Sequence, residues 1–176
     1  MSLIVVLTKK RSSRLKNIML RALENSAGVT EINSLGDIRC ADGSKPLLLE
    51  LKSPIKTKSE NTITVFDSSY KGEAQGVSGI SVAASSCTEA IRSIALSNCT
   101  AITCGTGPLD TLSIASCKNG GAMISLQREV HTLSGTVIEP CDISVKTDES
   151  VHIYPTLAAC AVLLLNDIPF ENGYRI

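Results

Sequence analysis

The sequence has few aromatic residues: they make up 3% of the chain, and tryptophan is absent. A core must therefore be built mainly from the aliphatic side chains of Leu, Ile, Val and Ala. The sequence also lacks an excess of either charge, since 17 Lys and Arg residues balance 17 Asp and Glu residues. This balance argues against a general nucleic-acid-binding protein, which would carry a strong basic excess.

The sequence also has no long hydrophobic run and no secretory signal pattern. Its longest apolar run, Leu157–Leu165, is far shorter than the roughly 20 residues that span a bilayer. The first residues lack a basic region and a cleavage site. We therefore expect a soluble, cytoplasmic protein without a membrane partner. The seven cysteines form no CxxC pair, which predicts free, mostly buried thiols and no zinc site.

What the sequence does contain is an alternation of apolar strands and amphipathic helices. The spacing of Leu15, Ile18, Met19 and Leu23 predicts a helix that begins near Ser12. A second helix follows Ala84, and its start has the capping-box pattern of Ser86 and Glu89. The alternation predicts a parallel α/β sheet. The predicted strands of this part are Leu3–Leu7, Val29–Ile32, Leu47–Leu51, Thr62–Phe66, Ile80–Ala84 and Thr100–Gly105.

The pattern changes in the C-terminal half, between Thr111 and Val145. Alternation at period two and the turn sequences KNGG and SG predict antiparallel hairpins. Pro155 then precedes a last helix, Thr156–Asn166, that is apolar nearly all round and should be buried. The predicted fold class is α/β: a single domain over residues 1–176, with a mainly parallel sheet flanked by helices and an antiparallel hairpin extension.

A basic loop joins the first strand to the first helix. Loops at this position often hold phosphate through glycine backbone groups, but this loop has no glycine. Its arginines and the free N–H groups of the helix start could still bind an anion. The alternative is a solvated corner in which Ser12 caps the helix. The candidate anion-binding residues are Lys9, Lys10, Arg11, Ser12, Ser13 and Arg14.

A second candidate ligand loop, CGTGPLD, follows the strand that ends at Gly105. It would lie at the carboxyl edge of the sheet, where α/β proteins bind ligands, or it is a plain turn. Its candidate residues are Cys104, Gly105, Thr106, Gly107 and Asp110.

Cys104 could be a nucleophile if a base lay beside it, and His131 and His152 are the imidazoles of the chain. Nothing in the sequence places either imidazole near Cys104. No catalytic residue and no metal ligand is therefore assigned.

Three segments share their layout with one enzyme family. The first strand, the basic loop and a helix that reaches Met19–Leu20 form one segment. The second is ISVAASSCTEAI followed by AITCG, and the third is VHIYPTLAACAVLLL. This order resembles the ATP-binding central domain of the Mur ligases, which join amino acids to cell-wall precursors or glutamate to folate. The resemblance implies a parallel α/β fold.

The residues that carry that family's chemistry are replaced. Lys9 and Ser12 stand where the family has loop glycines, Ser13 where it has the phosphate-binding lysine, and Arg14 where it has the Mg²⁺-binding hydroxyl. The resemblance with these replacements implies a domain that has lost phosphoryl-transfer chemistry. Other family positions are also replaced, at Phe66, Ala83, Ser85, His152 and Pro155.

The first functional hypothesis is thus a non-catalytic Mur-ligase-like domain without a cofactor. It would bind an anionic small molecule (phosphate, a nucleotide or a cell-wall precursor), a protein partner or a second copy of itself, and no nucleic acid. One alternative is an ATP-dependent amide ligase fragment that acts with separately encoded domains. The other is a small enzyme that uses Cys104 or His131.

Overall fold

The protein is described by a computed structural model. It describes residues 2–8, 14–32, 38–39, 45–52, 61–72, 76–97, 99–118, 120–147 and 150–176. The helices are α1 (Arg14–Ser26), α2 (Thr88–Ala95) and α3 (Ile153–Leu165). The strands are β1 (Leu3–Leu7), β2 (Thr30–Ile32), β3 (Ile38–Arg39), β4 (Leu47–Leu51), β5 (Thr62–Phe66), β6 (Ile80–Ala84), β7 (Thr100–Gly105), β8 (Leu112–Lys118), β9 (Gly121–Leu126), β10 (Val130–His131), β11 (Val137–Ile138), β12 (Cys141–Lys146) and β13 (Tyr174–Arg175).

One sheet of eleven strands runs in the order β13-β12-β9-β8-β7-β6-β5-β1-β4-β2-β3. All of its strands except β3 and β9 point in the same direction, because the antiparallel pairs of this sheet all involve one of these two. β10 and β11 form a separate antiparallel pair. The predicted fold class, a mainly parallel sheet flanked by helices with an antiparallel extension, is confirmed.

Helices cover both faces of the central strands. α1 and α3 pack side by side on one face, in a core that includes Ile4 and Val6 of β1. α2 shares the core of the other face with Val5 and Leu7 of the same strand. β5 and β6 are consequently buried along their whole length. The apolar helix α3 is buried from Thr156 to Leu165, as its composition predicts.

The antiparallel extension is covered on one face. In β12, Ile143 and Val145 are buried, whereas Asp142, Ser144 and Lys146 between and beside them are exposed. β9 alternates in the same way, and β8 carries an irregularity between Ile114 and Ser116. The alternation follows from the period of two in a strand with a core on one side.

An ion cluster lies buried between α1 and the neighbouring strands β2 and β4. Lys16 Nζ lies 3.0 Å from Glu31 Oε1 and 3.7 Å from Glu50 Oε2. The three side chains are 11%, 7% and 4% exposed, respectively. Removing one member of such a cluster leaves a buried charge without its partner, which is costly.

Two predicted helix starts are wrong. α2 begins after Cys87, no side chain caps it, and Ser86 and Glu89 form no capping box. α3 begins at Ile153, three residues before the predicted Thr156. Pro155 thus lies inside the first turn, where it is tolerated because N–H groups there have no partner within the helix.

The segment Leu126–His131, which lies in the region of predicted hairpins, is divided between two sheets. β9 ends at Leu126, and β10 begins at Val130 in the separate two-stranded sheet. The chain leaves the eleven-stranded sheet and enters the two-stranded sheet within this segment, so Gln127 and Glu129 belong to neither sheet.

The cysteines that the structure describes are free. Cys87, Cys104 and Cys160 are buried, Cys99 and Cys141 are half-buried, and Cys117 is exposed. Cys40 lies outside the described residues. In the described part of the chain, no helix has the length and hydropathy that crossing a membrane requires.

Candidate functional site

The strand order of the sheet reverses beside β1. From β1 it crosses through α1 to β2 and β4 on one side, and it then passes to β5 on the other side. β1 and β5 are paired in register, so Leu7 and Phe66 end side by side at the carboxyl edge. Ligands of open α/β sheets bind at such a point, because the loops that follow the two strands diverge and leave a crevice.

The positive ends of α1 and α3 meet at this edge. Arg14, the first residue of α1, places Nη1 3.5 Å from Nδ1 of His152, the N-cap residue of α3. Neither helix has an acidic residue in its first turn, and no side chain caps α3. The two helix dipoles and the Arg14 guanidinium therefore add positive potential at one place.

Arg14 is the member of the predicted anion-binding loop that the structure describes, and it is exposed. Thr8, just before the loop, is buried, and its N–H donates to the Leu51 carbonyl at the end of β4. Thr8, the last described residue before the loop, thus lies at the carboxyl edge of the sheet. The remaining members lie outside the described residues: Lys9, Lys10, Arg11, Ser12 and Ser13.

Tyr154, in the first turn of α3, closes part of the carboxyl edge. Its hydroxyl donates a hydrogen bond to the Phe66 carbonyl at the end of β5. Burial raises the pKa of Tyr154 well above its ordinary value, and Cys104, Asp67 and Cys87 raise it further. The phenol is therefore neutral and acts as a donor that ties α3 to the central strands.

Tyr154 was assigned no role from the sequence, because nothing in its local sequence indicates a contact with β5, 88 positions away.

Asp67 organises the turn that follows β5. Its Oδ1 accepts hydrogen bonds from the Ser69 N–H at 2.9 Å and from the Ser69 hydroxyl at 2.6 Å. The Tyr70 N–H donates to the Asp67 carbonyl at 2.8 Å. This carboxylate oxygen is engaged within its own turn, which is the common role of Asp at such a position.

The second predicted ligand loop folds against itself. Asp110 is buried, and its Oδ2 accepts a 2.9 Å hydrogen bond from the Gly107 N–H. A Cβ at Gly105 would lie 2.4 Å from Asp110 Oδ2 and 2.6 Å from Ser85 Oγ, so a side chain at this position would displace both groups. Thr106 is exposed beside them. The loop is thus a compact turn between β7 and β8, and its role in ligand binding stays a prediction.

The environment of Cys104 is not that of a reactive thiol. Cys104 is 1% exposed, and burial, with a smaller effect of Asp110, raises its pKa far above the ordinary value of a thiol. The thiol is therefore neutral and shielded. The side chain of His131 is 65% exposed and lies 3.9 Å from Glu129 Oε1. Among the described residues, no hydrogen bond joins Cys104 to His131 or His152.

No protein-family model matches the chain, and no curated protein matches it in sequence. The relationship to the Mur ligases therefore stays a prediction based on the order of segments. Across the described ranges, no three or more His, Cys, Asp and Glu side chains cluster in a way that could hold a metal ion.

Proposed function

We propose that this protein binds a small ligand through its phosphate or carboxylate group at the carboxyl edge, between the first residues of α1 and α3. We propose further that it does so as a non-catalytic relative of the Mur ligase central domain. The observation that carries the proposal is the approach of Arg14 to His152 at 3.5 Å, at two helix starts that have no acidic residue in their first turns.

An oxyanion beside these two side chains would meet several donors at once. The Arg14 guanidinium can donate two parallel hydrogen bonds to one phosphate or carboxylate group. Pro155 has no N–H, so the first turn of α3 offers the N–H groups of Ile153 and Tyr154. Two helix ends and the exposed Arg14 guanidinium thus favour an anion, although with looser geometry than a glycine-rich phosphate loop would supply.

The side chains near this edge supply little for catalysis. The Cys104 thiol is buried and neutral, and Tyr154 already uses its proton in a hydrogen bond to Phe66. The lysine and hydroxyl that would act on nucleotide phosphates are replaced by Ser13 and Arg14. These observations favour binding over the amide ligase and over the Cys/His enzyme.

A protein partner is the second candidate, and exposed apolar side chains at the same edge favour it. Leu109, in the loop after β7, is 82% exposed, and Ile153, at the start of α3, is 47% exposed. Large aliphatic side chains exposed beside a charged site suit a partner surface better than a free phosphate site.

The anion proposal is tested by titrating the protein with inorganic phosphate, AMP and ATP, with and without Mg²⁺, and following backbone amide signals by NMR. We expect weak binding that falls with salt, because exposed charges are screened over about 8 Å at physiological ionic strength. Arg14→Gln should weaken binding about tenfold. The matched control is Arg92→Gln, which removes the same charge from an exposed position at the end of α2.

Equal affinities of the parent protein and the Arg14→Gln variant for every anion would refute the site. Mg²⁺-dependent ATP turnover by the purified chain would refute the non-catalytic role and support the ligase alternative.

A further inference from the structure

A cavity of about 410 Å³ lies at the opposite, amino-terminal edge of the sheet. Its walls come from the residues that precede β1, β4 and β5 and from the segments that follow α1 and α3. Its volume falls in the range of small-molecule sites. Its polar lining consists of Ser2, Lys45, Asn61, Ser134, Asn166 and Asp167.

Two polar side chains of the cavity are held in place by hydrogen bonds. Asn166 accepts a hydrogen bond from the Ser2 hydroxyl and donates from Nδ2 to the Val162 carbonyl at 2.8 Å. Asp167 Oδ1 accepts from the hydroxyls of Thr132 at 2.6 Å and Ser134 at 2.8 Å. The second carboxylate oxygen of Asp167 forms no hydrogen bond within the described residues. This oxygen is therefore free to bind a ligand in a fixed direction.

Asp167 is an exposed residue at the negative end of a helix. It follows α3 directly, in the left-handed backbone conformation with φ of 57°. The negative end of the α3 dipole disfavours a carboxylate there. α1 also ends at this cavity, because Ala27 directly follows its last residue, and neither helix has a basic residue in its last turn. An ammonium group in the cavity would compensate the carboxylate and both helix ends.

Lys45 adds one positive charge to the same cavity. It forms no ion pair within the described residues, and in particular none with Asp167. A ligand that carried positive charge alone would be repelled by Lys45, and a ligand that carried negative charge alone would be repelled by Asp167. A ligand with both charges satisfies both residues.

We infer that this cavity binds a small zwitterion of the α-amino-acid type, with its ammonium group at Asp167 and its carboxylate at Lys45. The remaining wall is apolar, from Ala27, Leu133 and Ile168, and would contact an aliphatic side chain of the ligand. This site is separate from the anion site, because it lies at the other ends of the same two helices.

The test uses the full chain and each of the standard amino acids at millimolar concentration, followed by amide NMR. We expect shifts at Asn166, Asp167 and Ile168 for at least one amino acid, and no competition from inorganic phosphate. The matching amide, which lacks the carboxylate, and the matching N-acetyl derivative, which lacks the ammonium group, should each bind about tenfold more weakly.

Two variants test the assigned contacts. Asp167→Asn keeps an acceptor for Thr132 and Ser134 but removes the charge, and Lys45→Met removes the ammonium. Each should weaken binding about tenfold, whereas Asp142→Asn and Lys146→Met, on exposed positions of β12, should not.

The inference is overturned if no standard amino acid shifts these signals. It is also overturned if the two cavity variants bind as the parent does, or if the amide and N-acetyl derivatives bind as tightly as the amino acid.

Discussion

The central parallel strands and the antiparallel extension belong to one sheet but use their side chains differently. β5 is buried at all of its positions because helices cover both faces, whereas β12 alternates because a core lies on one face alone. In β5 successive side chains pack into the two cores on opposite faces of the sheet, whereas in β12 every second side chain is exposed to solvent. A substitution should therefore be costly anywhere in β5 and β6, and costly at alternate positions in β9 and β12.

The largest effect is expected at Phe66. This side chain is fully buried and makes an edge-on ring contact with Tyr70, with centroids 5.1 Å apart. Phe66→Ala should lower the free energy of unfolding by about 4 kcal/mol, because it removes a large buried side chain and leaves a cavity. Met123→Ala, on the outer face of β9, should cost less than about 1 kcal/mol. Urea unfolding followed by circular dichroism measures both.

Equal losses of stability at Phe66 and Met123 would show that the two regions do not differ in this way. They would mean that a partner or a second copy covers the outer face of the extension in solution.

The next effect is expected at Lys16, in the ion cluster that α1 encloses against β2 and β4. Lys16→Met should destabilise the fold by about 3 kcal/mol, because Glu31 and Glu50 would remain buried without their cation. The same unfolding assay applies. Changing both carboxylates to Gln in the Lys16→Met background should recover part of the loss.

An exposed control is the Glu129–His131 pair beside the separate two-stranded sheet, whose side chains are 60% and 65% exposed. Glu129→Gln should leave the unfolding curve unchanged within error, because exposed pairs contribute little. A large loss at Glu129, or none at Lys16, would contradict the difference between the two regions.

The smallest effect concerns alkaline pH. Burial raises the pKa of Cys104 far above its ordinary value of 9.0, so the unfolded chain loses this proton first as the pH rises. The unfolded state then binds fewer protons than the native state, and stability falls with pH above about 9. This thiol should account for a loss of about 1 kcal/mol by about pH 10.

Urea unfolding between neutral pH and about pH 10 should therefore have a smaller pH slope in Cys104→Ala than in the parent. Cys117→Ala, on the exposed end of β8, should leave the slope unchanged. If the two variants have the same slope, Cys104 is accessible to solvent in the native state.

Elements with continuous local patterns were predictable from the sequence. β1, β4 and β6 begin and end where their apolar runs do. The start of α3 was misplaced because proline is tolerated throughout a first helical turn, so Pro155 does not mark one position. The end of β9 at Leu126 was missed because alternation continues after the ladder stops, and side-chain pattern does not report which strand is the partner.

The candidate site was predictable in part. Arg14 was predicted as an anion-binding residue because it belongs to the basic loop. His152 lies 138 positions from Arg14, and no local pattern links the two. Tyr154 and Phe66 are likewise 88 positions apart. Their contacts depend on how α1 and α3 lie on the sheet.

The order of strands and helices follows from the sequence, because hydrophobic periodicity acts over a few residues. The presence of a basic loop before the first helix also follows from it. The pairing of the ends of α1 and α3 depends on the packing: Arg14 and His152 meet at one end, and Lys45 and Asp167 line one cavity at the other. The reason is physical, since strand order and helix packing bring together residues that are distant in the chain, and local propensity carries no information about that order.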